Sequence, residues 1–193
     1  MIYLVRHGET VANEDGNLQG QSNSNLTNHG IKQARWVGQW LRENDIDTVW
    51  LCSDLGRAMQ TVGGMILGGR RVPIALNVEP LLRERSFGEW EGRNFRRLKK
   101  TWAYVDHKAY GISHRPPGGE SDADLYERAQ KFWKKWTGHT SLVVISHQTF
   151  ISYLVGTSLD RPITERRQWP KLKQDEILRL GSAGYTRIDT RKV

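Results

Sequence analysis

Two short apolar runs constrain this chain more than anything else in it. Ile2-Tyr3-Leu4-Val5 and Leu142-Val143-Val144-Ile145, the second framed by Ser141 and Ser146, contain no polar residue and are rich in β-branched side chains. Runs of this length, apolar on both sides of the pleat, fit strands covered on both faces, the setting of a parallel sheet between helices. Each run ends in the same way: Arg6 and His7 follow the first, and His147 follows the second. In an open α/β sheet, the carboxyl ends of the strands are where ligands bind.

The rest of the chain reads as alternating elements. Thr27 is placed to cap a helix with Ile31, Ala34, Val37, Gly38 and Leu41 on one face. Thr48 to Cys52 reads as a second buried strand, with Ser53 or Asp54 capping a helix that runs to Gly68 and Gly69. Ile74 to Val78 is a third strand candidate. Ser121 opens a helix carrying Leu125, Ala129, Phe132 and Trp136, a further helix spans about Thr149 to Ser158, and residues 176 to 188 hold one or two strands. This order predicts an α/β protein, a three-layer α/β/α sandwich with a mostly parallel central sheet. With no repeat and no convincing linker, residues 1–193 read as a single domain. The run His114 to Glu120 reads as a loop closing over a site.

Parallel strands bring the candidate residues to one edge. His7 and His147 leave adjacent strand ends, Arg57 lies in the first turn of the helix after the second strand, and Glu84 lies just past the third. Arginines present forked donors to phosphate oxygens, and a neutral imidazole attacks phosphorus. A second histidine can steady the equatorial oxygens, and a protonated carboxyl group can supply the leaving oxygen with its proton. Arg83 and Arg85 flank Glu84 and would favour its ionised form, but neighbours in an extended segment point to opposite sides. The expected pH optimum is mildly acidic.

An ordered set of residues resembles the histidine phosphatase superfamily, the clan of phosphoglycerate mutase and related phosphatases. It runs Arg6-His7-Gly8-Glu9-Thr10 with Asn13, Gln19-Gly20, Leu26-Thr27, Gly30, Gln33-Ala34, Ser53-Asp54-Leu55, Arg57-Ala58 and Thr61. It continues through Glu84, Phe87-Gly88, Trp90-Glu91-Gly92, Gly119-Glu120-Ser121 and Ser146-His147. The resemblance implies a phosphoglycerate mutase-like fold and no cofactor. It implies His7 as the phosphorylated nucleophile, Arg6, Arg57 and His147 as phosphoryl ligands, and Glu84 as proton donor. Asn13, Gln19, Gly20 and Gln148 complete the phosphate-binding set. Many members carry glycine after the second histidine; glutamine at that place, as here, is similar to the fructose-2,6-bisphosphatase branch and narrows the pocket or adds a donor.

Other chemistries fit less well. There is no His-x-His, His-Glu-x-x-His or cysteine pair to hold a metal, so activity is expected to survive excess EDTA. Cys52 precedes Arg57 at a spacing one residue short of the cysteine-dependent phosphatases, without their glycine-bearing loop, and reads as a strand residue. His29, His107, His114 and His139 read as structural or exposed. A lone cysteine, no signal-like N-terminus and no membrane-length apolar run fit a cytoplasmic protein.

The net charge of +8 suits an acidic partner. Its densest run, Arg93 to Lys100, lies in a variable segment of about residues 93–120. As a helix it would expose Arg93, Arg96, Arg97 and Lys100 opposite a stripe of Phe95, Leu98 and Trp102, either as a solvated face or as a rim selecting a second anionic group on the substrate. The reading is therefore a metal-independent phosphomonoesterase acting on a small phosphorylated metabolite, with a phosphoglycerate mutase as the runner-up. A non-catalytic protein using the basic face for nucleic acid is the remaining alternative, with the oligomeric state open.

Overall fold

The computed structural model describes residues 1–101, 111–138, 141–181 and 184–192. Four strands form the parallel part of the sheet: β1 (Ile2–Arg6), β2 (Val49–Cys52), β3 (Ala75–Val78) and β4 (Leu142–Ser146). Two more, β5 (Glu176–Gly181) and β6 (Gly184–Asp189), continue it, and the order across the sheet is β3-β2-β4-β1-β5-β6. β1 runs parallel to β4 and antiparallel to β5, so the sheet is mixed with a parallel core.

Among the described residues the α-helices are α1 (Val11–Glu14), α2 (Asn28–Glu43), α3 (Gly56–Gly69), α4 (Phe95–Leu98), α5 (Asp122–Trp136) and α6 (Gln148–Ser158). Alternating strand residues bury into two cores. Tyr3, Val5, Trp50, Cys52 and Val143 pack on one face with Ala34, Val37, Ala58 and Met65 of α2 and α3. Ile2, Leu4, Leu51 and Val144 pack on the other with Leu125, Phe132, Phe150 and Leu154 of α5 and α6. This is the expected three-layer arrangement.

Local chemistry explains the helix starts. Thr27 caps α2 by accepting from the Gly30 amide, and Ser121 and Asp124 form a reciprocal capping box at α5. Three expectations need correction. Ile31 lies at the edge of the α2 apolar face and is 36% exposed, its inward place being taken by Gly30 and Gln33. α3 is capped by neither Ser53 nor Asp54: Leu55 holds the N-cap position without a side-chain bond, because Ser53 turns to a histidine and Asp54 pairs with Arg83. The His114–Glu120 loop packs beside residues 86–89, with the Glu89 amide donating to Pro117 and the Glu120 amide to Ser86, and none of its residues lines the cavity of about 510 Å³ expected to lie beneath it.

Candidate active site

Register brings the two histidines together. Arg6 pairs with Ser146 in the β1–β4 ladder, and the His7 amide continues it by donating to the Ser146 carbonyl at 3.0 Å. The rings then leave side by side, their centroids 5.1 Å apart. Gly8 lets the chain turn away at once, because a Cβ there would lie 2.4 Å from the Gly30 carbonyl oxygen.

His7 Nδ1 lies 2.8 Å from the carbonyl oxygen of Gly8. Donation to that oxygen places the ring proton on Nδ1 and leaves the lone pair on Nε2. Burial, then the charges of Arg57 and Arg6, holds the His7 pKa well below its ordinary value, so the ring is neutral at physiological pH. His147 is likewise pushed well below the ordinary range by burial and by Arg57. Its Nδ1 accepts from Arg57 Nε at 3.2 Å, which puts its proton on Nε2, where Ser53 Oγ accepts at 2.8 Å.

The arginines are held by their forks. Arg57, 1% exposed, donates through Nη2 to the Gly20 carbonyl at 2.6 Å and through Nη1 to the Ser22 carbonyl at 2.8 Å. Gly20 has φ +55° and lies against Glu91, whose carboxylate a Cβ would strike. Arg6 donates through Nη1 to Gln148 Oε1 and to the Leu172 carbonyl. Because Gln148 Oε1 is an acceptor there, its Nε2 is a donor. Arg6 Nε and Gln148 Nε2 are both buried with no hydrogen-bond partner among the described residues, as is Gln19 Oε1. Asn13 Oδ1 accepts from the Thr10 amide and from Gln174 Nε2, leaving Nδ2 as the donor end of that amide.

Glu84 sits at the start of α6. Its Oε2 accepts from the Thr149 amide at 3.1 Å, and its Oε1 accepts from the Arg85 and Phe150 amides at 2.8 and 3.3 Å. Both flanking arginines are paired with other carboxylates, Arg83 with Asp54 and Arg85 with Asp122. Arg6, His7, Asn13, Gln19, Gly20, Arg57, Glu84 and Gln148 thus all line one cavity of about 510 Å³, with His147 in contact beneath it.

Several contributors were not singled out from the sequence. Arg128 donates to the carbonyls of Leu81, Arg83 and Glu84 and to Glu120, stapling the segment that carries Glu84. Its signal was a cation three residues after Leu125 on the inward side of a helix. Thr149, Arg85 and Lys171 line the pocket too. On the basic run the structure favours the solvated face over the rim: only Phe95 reaches the cavity, while Arg96 and Arg97 are exposed and do not line it. Asn94 caps a helix of a single turn there, too short to present a basic face, and Trp102 lies outside the described residues. His29 is exposed against Trp36 and His114 is half-buried, while His107 and His139 lie outside the described residues. Cys52 is fully buried, and burial pushes its thiol up to about 12, so it is no nucleophile.

A neutral imidazole with a fixed tautomer, facing guanidinium donors and a carboxyl group at the carboxyl edge of a parallel sheet, defines a phosphatase-type enzyme that handles phosphoryl groups without needing a thiol. The chain belongs to the histidine phosphatase superfamily, branch 1, whose family model matches residues 2–185. It is similar to the adenosylcobalamin/alpha-ribazole phosphatase of Salmonella typhimurium, 34% identical over 170 residues that cover 83% of this chain and 80% of that one. It is also 33% identical to the probable phosphoglycerate mutase GpmB of Erwinia tasmaniensis, over 97% of this chain and 84% of that protein. The crystal structure of the alpha-ribazole phosphatase from Shigella flexneri matches with a TM-score of 0.77 at 28% identity, covering 96% of this chain and 93% of that one.

Proposed function

We propose that the protein is a phosphomonoesterase that works through a phosphohistidine on His7. The observation that carries this reading is the His7–Gly8 hydrogen bond, which holds the neutral ring with Nε2 as the free base. In the first half-reaction Nε2 attacks phosphorus in line and the P–O bond to the alcohol breaks. Arg6, Arg57, Asn13 Nδ2 and Gln148 Nε2 take the equatorial oxygens as their charge grows. His147, accepting from Arg57 Nε through Nδ1, holds that guanidinium in place against the phosphoryl group. Glu84 gives its proton to the departing alkoxide.

In the second half-reaction Glu84 draws a proton from water, the water oxygen attacks phosphorus, and the P–N bond breaks. His7 returns to its neutral form, and Glu84 is reloaded with the proton it needs for the next turnover. Gln19 and Gly20 shape the wall against which Arg57 is braced.

The relatives' names put two compounds at the head of a substrate panel, alpha-ribazole phosphate and phosphoglycerate. Small phosphorylated metabolites are the substrate class. No helix among the described residues is long and apolar enough to cross a membrane, which fits the reading of a cytoplasmic enzyme. A second reading, phosphoryl return to a new hydroxyl as in a mutase, is favoured by the GpmB similarity over nearly the whole chain.

One experiment separates the two. Phosphate release from the panel is measured in excess EDTA, alongside isomerisation of 3-phosphoglycerate, for the native protein and His7→Ala. Release that disappears in the variant is expected. Isomerisation without release would replace hydrolase by mutase, and activity that returns only with a divalent metal would overturn the mechanism.

A further inference from the structure

Beyond Gln148 and Thr149, the catalytic cavity meets a second groove of about 400 Å³, lined by Ser152, Tyr153, Arg166, Arg167 and Lys171 together with Arg85. Four residues, Arg85, Gln148, Thr149 and Lys171, line both spaces, so the two are neighbours across a shared wall.

The charges in this groove are not equivalent. Arg85 and Arg166 share one carboxylate, Asp122, at 2.6 and 2.5 Å. Glu120, two positions before Asp122, is engaged by Arg128. Arg167 and Lys171 make no ion pair among the described residues, although they stand four positions apart beside that network. No carboxylate stands among the described residues that line the groove, so its lining keeps a surplus of positive charge.

The backbone carrying this pair is anchored. Trp169, 3% exposed, lies between them and packs edge-on to Tyr153, with its centroid 5.0 Å away. A Cβ on Gly156 would lie 2.5 Å from its indole, so α6 accepts the ring only because glycine is there. Leu172, 1% exposed, follows Lys171, and its carbonyl holds Arg6. The strap that bears the free cations is thus fixed to the same arginine that faces the phosphoryl site.

We propose that this groove is a second anion subsite, and that the preferred substrates are phosphomonoesters whose alcohol carries a further carboxylate or phosphate. The reacting phosphoryl group sits at His7, the carbon skeleton passes Gln148 and Thr149, and the distal anion meets Lys171 and Arg167. The proposal deepens the phosphomonoesterase reading and rests on it. It also puts the second-anion contact at this groove instead of at Arg96 and Arg97, the rim that was one of the two sequence readings of the basic run.

The test uses ω-carboxyalkyl phosphates of graded chain length, with 4-nitrophenyl phosphate as the reference. The proposal expects kcat/KM to peak at one chain length, carried by KM, and the peak relative to the reference to fall about tenfold in Arg167→Ala and in Lys171→Ala, the size of one lost charged contact. Arg167→Lys should restore part of it, and added salt should flatten it in the native protein. A flat chain-length profile with normal turnover of the reference would overturn the subsite alone. So would a peak that both variants keep. No turnover of any phosphate would overturn the phosphomonoesterase reading, and the subsite with it.

Discussion

At the scale of the residue, the site depends on which atoms of each group are already committed. Arg57 spends three donors on Gly20, Ser22 and His147 and still faces the cavity with its remaining N–H groups. A lysine is a point charge on a flexible stem and cannot bridge those acceptors while presenting donors to phosphate. Arg57→Lys is therefore expected to lower kcat/KM about 100-fold or more while the protein stays folded by circular dichroism. A loss under threefold would show that charge alone suffices there.

The buried histidines also tie stability to pH. Their folded-state pKa values lie well below 6.5, while the unfolded chain protonates near that value. Below 6.5 the unfolded state binds the extra protons, so the stability present above 6.5 is lost as pH falls toward the folded values. The slope is about 1.4 kcal/mol per pH unit for each histidine. Urea midpoints measured from pH 8 to 5.5 should fall accordingly, and His147→Gln should make the fall shallower. Identical slopes in both proteins would contradict the neutral buried pair. The same tuning keeps His7 unprotonated in mildly acidic solution.

At the scale of the element, short-range chemistry was easy to read and edges were not. The strands β1 and β4 announced themselves because both faces are buried, and the helix over 122–136 because Ser121 precedes an apolar stripe at helical spacing; the structure adds Asp124, which closes the first turn with it. Ser121→Ala, removing a side chain that is 1% exposed and half of the capping box, is expected to cost about 1 kcal/mol. For a chain of this size that is a drop of roughly 2–4 °C in Tm, with little change in kcat. An unchanged Tm would remove the box as the reason this helix starts there.

The start of α3 was misread because Ser53 and Asp54 have cap-forming side chains that long-range partners claim first. For the basic run 93–100 the sequence left a solvated face and a rim open, and the exposed Arg96 and Arg97 fit the solvated face. Helical periodicity suggested a longer basic helix, but the α-helix there is only one turn long, and Phe95 is what reaches the cavity.

At the scale of the whole molecule, the parallel core does most of the positioning. Order β3-β2-β4-β1 sets the ends of four strands side by side, so residues far apart in sequence meet without special loops. His7, Arg57, Glu84 and His147 were legible because each follows a strand almost directly. Lys171, Arg167 and Arg128 were not, since their places are set by the packing of Trp169 and Leu172 and by an α5 side chain reaching back to residues 81–84. Periodicity tells which face of a helix is buried but not which carbonyls a buried cation will find.

The central claim is that the phosphoryl group rests on His7 between substrate and water. Rapid mixing with a ³²P-labelled phosphomonoester, followed by a denaturing alkaline quench, reads this directly. The account predicts a label on the protein that is stable to base, labile to acid, located on the peptide containing His7 and missing from His7→Ala. Turnover of the same substrate with no label at any quench time, or a label that persists in His7→Ala, would contradict it.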